Sequence, residues 1–130
     1  IDMMIKRPIL GVGIGCYAEA RSRFFGYSFY SHNLYGELFG ELGLSSVIWF
    51  LWIYHIFKRS NYLKNIINVN YGKNFCTYLL NGVQIGLFVR LVIGNFTNSA
   101  FIWFWFVMAA LVVTMDNLIS KQTDVINASK

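Results

Sequence analysis

Three apolar runs, at 33–57, 76–94 and 99–115, constrain this chain more than any other feature, because each approaches the length of a helix that crosses a bilayer. A hydrocarbon core about 30 Å thick takes about 20 residues at about 1.5 Å each. The first run is densest from Val47 to Tyr54 and is expected to stop at Lys58 and Arg59. The second contains Asn81, Gln84 and Arg90, so one of its sides must face protein or water. The third opens with Phe101, Trp103, Phe104, Trp105 and Phe106 and is short for the core unless its flanks contribute.

With 56% hydrophobic and only 13% charged residues, a 130-residue chain has too little polar material to clothe a soluble domain. The expected fold is all-α and membrane-embedded, with about three transmembrane helices belonging to a larger polytopic bundle. An interfacial loop at 1–31 precedes them, a polar connector at 61–74 and a tight reversal at 95–99 join them, and a polar tail at 116–130 follows. The chain opens on Ile1 with neither a signal peptide nor a span, so it is expected to be the C-terminal part of a longer protein whose upstream helices pack against it.

The eleven Lys and Arg residues outnumber six acids, a balance that in a soluble protein would point to nucleic acid. Here they flank the apolar runs, so topology accounts for them and no nucleic acid partner is expected. If the connector and the tail share a side, that side carries Lys58, Arg59, Lys64, Lys73, Lys121 and Lys130, against Lys6, Arg7, Arg21 and Arg23 opposite. The positive-inside bias then puts connector and tail in the cytoplasm and the 1–31 loop outside. In that loop Arg21 and Arg23 alternate with Phe24, Phe25, Tyr27, Phe29 and Tyr30, a mixture suited to lipid headgroups. Cys16 and Cys76 lack ligand spacing, and neither a disulfide, a metal nor a cofactor is expected.

His32-Asn33 stands where this loop enters the first apolar run. If helix begins there, Gly36 and Gly43 lie within about 40° of His32 and leave the face below the imidazole nearly bare, with Glu37 and Glu41 on another side. Two structural readings stay open beside a chemical one. Gly36 and Gly40 form a small-xxx-small pattern that lets helices approach, and His32 can be an interfacial anchor. Gly11-Val12-Gly13-Ile14-Gly15 has the look of a nucleotide loop but no strand before it and no acid at the right distance after it.

Arg7-Pro8-Ile9-Leu10-Gly11-Val12-Gly13, followed by His32, Asn33, nine residues and Gly43, resembles the C-terminal half of the O-antigen ligase and O-antigen polymerase family. That family's pattern runs His, then Asn, Ser or Gln, nine residues, Gly, two residues, and Gly, Thr or Tyr. Ser46 departs from it at the last position but stays small. The resemblance implies a membrane glycosyltransferase that moves a glycan from an undecaprenyl pyrophosphate carrier to a glycan or lipid A core acceptor, on the periplasmic face of a bacterial inner membrane. It makes His32 the base or orienter of the acceptor hydroxyl, a task suited to imidazole.

A pyrophosphate leaving group needs cations, so Arg21, Arg23 and Arg90, with Asn33, are the candidate substrate contacts, and Gly36 and Gly43 the motif glycines. Arg21 and Arg23 serve equally as phospholipid contacts, and Arg90 can snorkel or pair with Glu37 or Glu41. The family's essential arginines are expected upstream of this chain. A rival reading from another class is a transporter or noncatalytic membrane subunit, with Gln84, Arg90 and the glycine face forming a polar pathway.

Overall fold

The computed structural model describes residues 2–97 and 103–128, with side chains through residue 121. Its described residues are helical, without strands: α1 (Asp2–Lys6), α2 (Tyr17–Phe25), α3 (Leu34–Leu42), a 3-10 turn (Gly43–Ser45), α4 (Ser46–Tyr71), α5 (Phe75–Ile93) and α6 (Phe104–Ala128). Three stretches are long and apolar enough to cross a membrane, Leu34–Tyr71, Phe75–Ile93 and Phe104–Lys121. The chain is an all-α membrane protein, as its composition requires. It divides into two compact units, one of residues 1–53 and 89–102, the other of residues 54–88 and 103–130.

In the first unit α1 and α2 pack on α3. Asn33 starts α3 by accepting a hydrogen bond from the Gly36 amide on its side chain, so His32 lies before the helix and outside it. The helical rotation that set Gly36 and Gly43 beneath His32 therefore does not apply. α3 then stops at Gly43, whose φ of 60° and ψ of −140° suit glycine alone. The single helix expected over 33–57 is two helices with a break. Ser45 and Ser46 satisfy carbonyls that the break releases, Ser46 donating to Gly43 O at 2.7 Å from a fully buried position. The residue that departs from the family pattern thus closes the break.

The strap 7–16 runs beside this break. Val12 and Gly13 donate to the carbonyls of Gly40 and Glu41 at 3.1 and 3.0 Å, while Leu44 and Ser45 donate to those of Pro8 and Ile9 at 2.7 and 3.2 Å. A side chain on Gly11 would strike the Glu41 and Leu42 backbone, and one on Gly40 would sit 2.5 Å from the Tyr17 ring. Of the glycines that looked like a nucleotide loop, Gly11 is a close-approach residue between strap and helix, while Gly13 and Gly15 are not crowded by α3 and take positive φ. The close approach of Gly40 is to the start of α2 and to Met3.

The second unit overturns the expected connector. α4 is 26 residues long, about 39 Å, and Lys58 and Arg59 do not end it. It ends at Tyr71, and Gly72, at φ 69°, and Asn74 turn the chain into α5, where Asn74 caps Thr77 N at 3.3 Å. Ile56, Ser60, Leu63 and Ile67 make one buried stripe on α4 and Thr77, Leu80, Val83 and Leu87 another on α5. Ser60 donates to Leu80 O across the pair, so the two stripes face each other. Polar bonds flank this contact. Lys64 donates to Asn81 Oδ1 and Gln84 Oε1, both at 3.0 Å; Gln84 donates to Asn61, and Thr77 to Asn68.

Arg59 binds Asp116 on α6 with two parallel hydrogen bonds, 2.8 and 2.6 Å. Both side chains are partly exposed, which keeps the pair modest. A double-mutant cycle of Arg59→Gln and Asp116→Asn, read by thermal melting of the solubilised protein, is expected to give a coupling of about 1 kcal/mol. Additive losses would remove the α4 to α6 tie. The expected tail at 116–130 is instead helix to Ala128, with 129–130 outside the described residues. Of the expected reversal, 95–97 is described and 98–99 is not; the expected start of the third span also falls outside the described residues.

Candidate functional site at the α3 and α5 helix ends

The site begins with how two helix ends are held together. Leu34 N donates to Gly94 O at 2.6 Å, and a side chain on Gly94 would come within 2.7 Å of Leu34 Cδ2. Tyr35 Oη donates to Leu91 O at 2.9 Å, and its ring stacks on Phe50 at 6.0 Å with an interplanar angle of 6°. The end of α5 is therefore fastened to the start of α3 by backbone and hydroxyl contacts, and the Tyr35 ring ties α3 to α4.

His32 stands two residues before Leu34 of the first bond, and Arg90 one turn before its Gly94. A cavity shared by the two is one of the alternatives the sequence leaves open for Arg90, and both residues adjoin this junction in the chain. The imidazole is exposed and lies edge-on to Phe29, ring centroids 5.9 Å apart. Arg90 is half-buried, and its Nε is fully buried without a hydrogen-bond partner among the described residues. A guanidinium left in that state on a membrane helix is costly, and such residues mark functional sites in membrane proteins. Of the two acids expected as alternative partners, Glu37 and Glu41, the Glu41 carboxylate is occupied elsewhere.

Glu41 is only 2% exposed. Its two oxygens accept from the backbone amides of Gly15 and Tyr17 at 2.8 and 3.2 Å, 26 and 24 residues away. These amides belong to the start of α2, where Cys16 offers no side-chain cap. A carboxylate on α3 thus caps α2 from outside, which suits both the orphan amides and the helix dipole. Sequence reading missed this role; the available signal was an acid within the apolar, glycine-flanked stretch of α3.

The two arginines of α2 do not converge. Arg21 donates to the hydroxyls of Tyr17 and Tyr27 at 3.4 and 3.2 Å and lies 5.1 Å from the Tyr27 ring centre. Its hydrogen bond to Tyr27 raises the guanidinium pKa above the ordinary arginine value. Arg21 lines a small cavity of about 70 Å³ with Asp2 and Met3. Arg23 pairs with Glu19 at 2.6 Å and lines a different cavity, of about 480 Å³, toward the strap and Arg7. Neither His32 nor Arg90 lines either cavity.

Asn33 spends its side-chain oxygen on the α3 cap, and Gly36 faces Ser31 and Asn33, within 2.6 Å of Ser31 Oγ had it a Cβ. Gly43 faces the strap, where a Cβ would lie 2.5 Å from Pro8 O. The motif residues of the strap and of α3 therefore meet in space, chiefly as architecture. Among the described residues no three His, Cys, Asp or Glu side chains gather as metal ligands. No known family model matches the chain, and comparison with characterised proteins and with solved structures finds no match.

Proposed function

We propose that this chain contributes to the reaction centre of a membrane glycosyltransferase of the O-antigen ligase or polymerase type. In this reading it moves a glycan from undecaprenyl pyrophosphate to a glycan or lipid A core acceptor at the periplasmic face of a bacterial inner membrane. The observation that supports the reading is the helix-end junction: the exposed His32 lies two residues before Leu34, and Arg90, whose buried Nε has no partner among the described residues, lies one turn before Gly94, to which Leu34 is bonded. His32 takes the proton of the acceptor hydroxyl as its oxygen attacks the anomeric carbon. The bond from that carbon to the pyrophosphate oxygen breaks, and the electron pair leaves with the lipid pyrophosphate.

Arg90 offsets the charge that develops there, with Arg21 and Arg23 as further contacts for the anionic donor. Asn33 acts through the cap that sets where α3 begins, and so where His32 stands. Membrane lipids surround the spans, and upstream helices complete the site. Gln84 is tied to Lys64 and Asn61, which leaves less of a polar pathway for the transporter reading.

Glycan ladders in cells lacking the gene and complemented with full-length wild-type or His32→Ala protein test this directly. At equal membrane level, His32→Ala is expected to lower transfer by about 100-fold or more. Loss of polymer identifies a polymerase, and loss of lipid attachment a ligase. Full complementation by His32→Ala would sink the proposal and bring the transporter or subunit forward.

A further inference from the structure

Of the residues lining the cavity of about 480 Å³ between the strap and α2, only Arg23 enters the mechanism above. Its charged walls are Arg7, Arg23 and Glu19, and Val12, Ala20 and Phe24 supply apolar ones. Arg23 is compensated by Glu19, which leaves Arg7 as the uncompensated charge. The Arg7 guanidinium is exposed and makes no hydrogen bond or ion pair among the described residues, although its carbonyl accepts from Gly11 N at 3.0 Å. Beside it on the strap Ile9, Leu10 and Ile14 are 69%, 74% and 64% exposed. Water is a poor medium for that much bare aliphatic surface on one short segment.

A cation in a cavity, rimmed by exposed aliphatic side chains and carried by a chain with three membrane spans, matches a phosphate whose acyl chains continue alongside. We infer that this cavity seats the headgroup phosphate of an anionic phospholipid. Arg7 is its principal ligand, and Ile9, Leu10 and Ile14 lie among the acyl chains. Glu19 works against the site in two ways, by occupying Arg23 and by placing a negative charge on the wall. Removing Glu19 therefore strengthens binding while removing Arg7 weakens it, a pair of opposite responses that nonspecific lipid adhesion does not produce.

The test is lipid retention by the solubilised full-length chain, followed by native mass spectrometry during titration with phosphatidylglycerol or phosphatidylcholine. Wild type is expected to hold phosphatidylglycerol about fivefold more tightly than phosphatidylcholine. Arg7→Gln is expected to erase the difference, Glu19→Gln to widen it, and Lys73→Gln, exposed in the other unit, to leave it unchanged. Equal retention of the two lipids by wild type, or undiminished preference in Arg7→Gln, would overturn the inference. Displacement of phosphatidylglycerol by millimolar inorganic phosphate would assign the cavity to a free anion and overturn the lipid assignment. His32→Ala is expected to bind as wild type does, so failure of the glycosyltransferase reading leaves this result standing.

Discussion

Glu41→Ala is expected to release the start of α2 while the rest of the chain stays folded. The substitution removes two charge-assisted hydrogen bonds from a buried position and leaves the Gly15 and Tyr17 amides without their acceptor. The loss is about 3 kcal/mol, given that such bonds contribute about 1.5 to 3 kcal/mol each and partial solvation recovers some of it. Because cleavage within a helix requires local opening, trypsin is expected to cut after Arg21 and Arg23 about a hundredfold faster. Glu41→Gln keeps one acceptor oxygen and should fall between. An unchanged cleavage rate in Glu41→Ala would show that α2 needs no outside cap.

The second large effect belongs to Gly43. Gly43→Ala places a methyl group 2.5 Å from Pro8 O and 2.8 Å from Gly11 N, both backbone atoms of the strap, at a φ of 60°. Backbone strain and the clash together cost about 3 kcal/mol or more. Gly72→Ala is the matched control: its φ is 69°, but nothing lies within 4 Å of the added carbon, so it should cost about 1 kcal/mol. Thermal melting of the two solubilised variants separates strain from clash. Equal shifts would mean that the strap yields to the methyl group.

The apolar runs made the membrane class and α5 readable, its bounds differing from the expected 76–94 by one residue at each end. Polarity misled elsewhere. Residues 58–71 looked like a connector because they carry Lys58, Arg59, Lys64 and four asparagines, yet Asn61, Lys64 and Asn68 find partners on α5. A polar residue with a partner on a neighbouring helix is indistinguishable, in one sequence, from a polar residue in a loop. Asn33 was misread for a different reason. An Asn directly before an apolar run is a helix-start signal, and giving it that weight would have put His32 outside the helix.

For the candidate site, sequence reading left Arg90 open between a cavity shared with His32, snorkelling and an acidic partner; in the fold both residues adjoin the bonded ends of α3 and α5. It failed for Arg21 and Arg23, whose nearness in sequence hides a separation of about 200° around α2. It also could not name the partners of Glu41. Backbone amides two dozen residues away have no side-chain identity to betray them.

The bonds between α4 and α5 bear on how the protein enters its membrane. A lysine costs about 2.5 to 3.5 kcal/mol at the centre of a helix that inserts alone and less toward its end, where Lys64 lies in the first candidate span. Asn81 and Gln84 carry a similar burden in the second. Each helix holds the groups that relieve the other, and only the three residues from Gly72 to Asn74 separate them. Biogenesis thus favours the hairpin as a single inserting element, with α4 held at the bilayer edge until α5 has been synthesised.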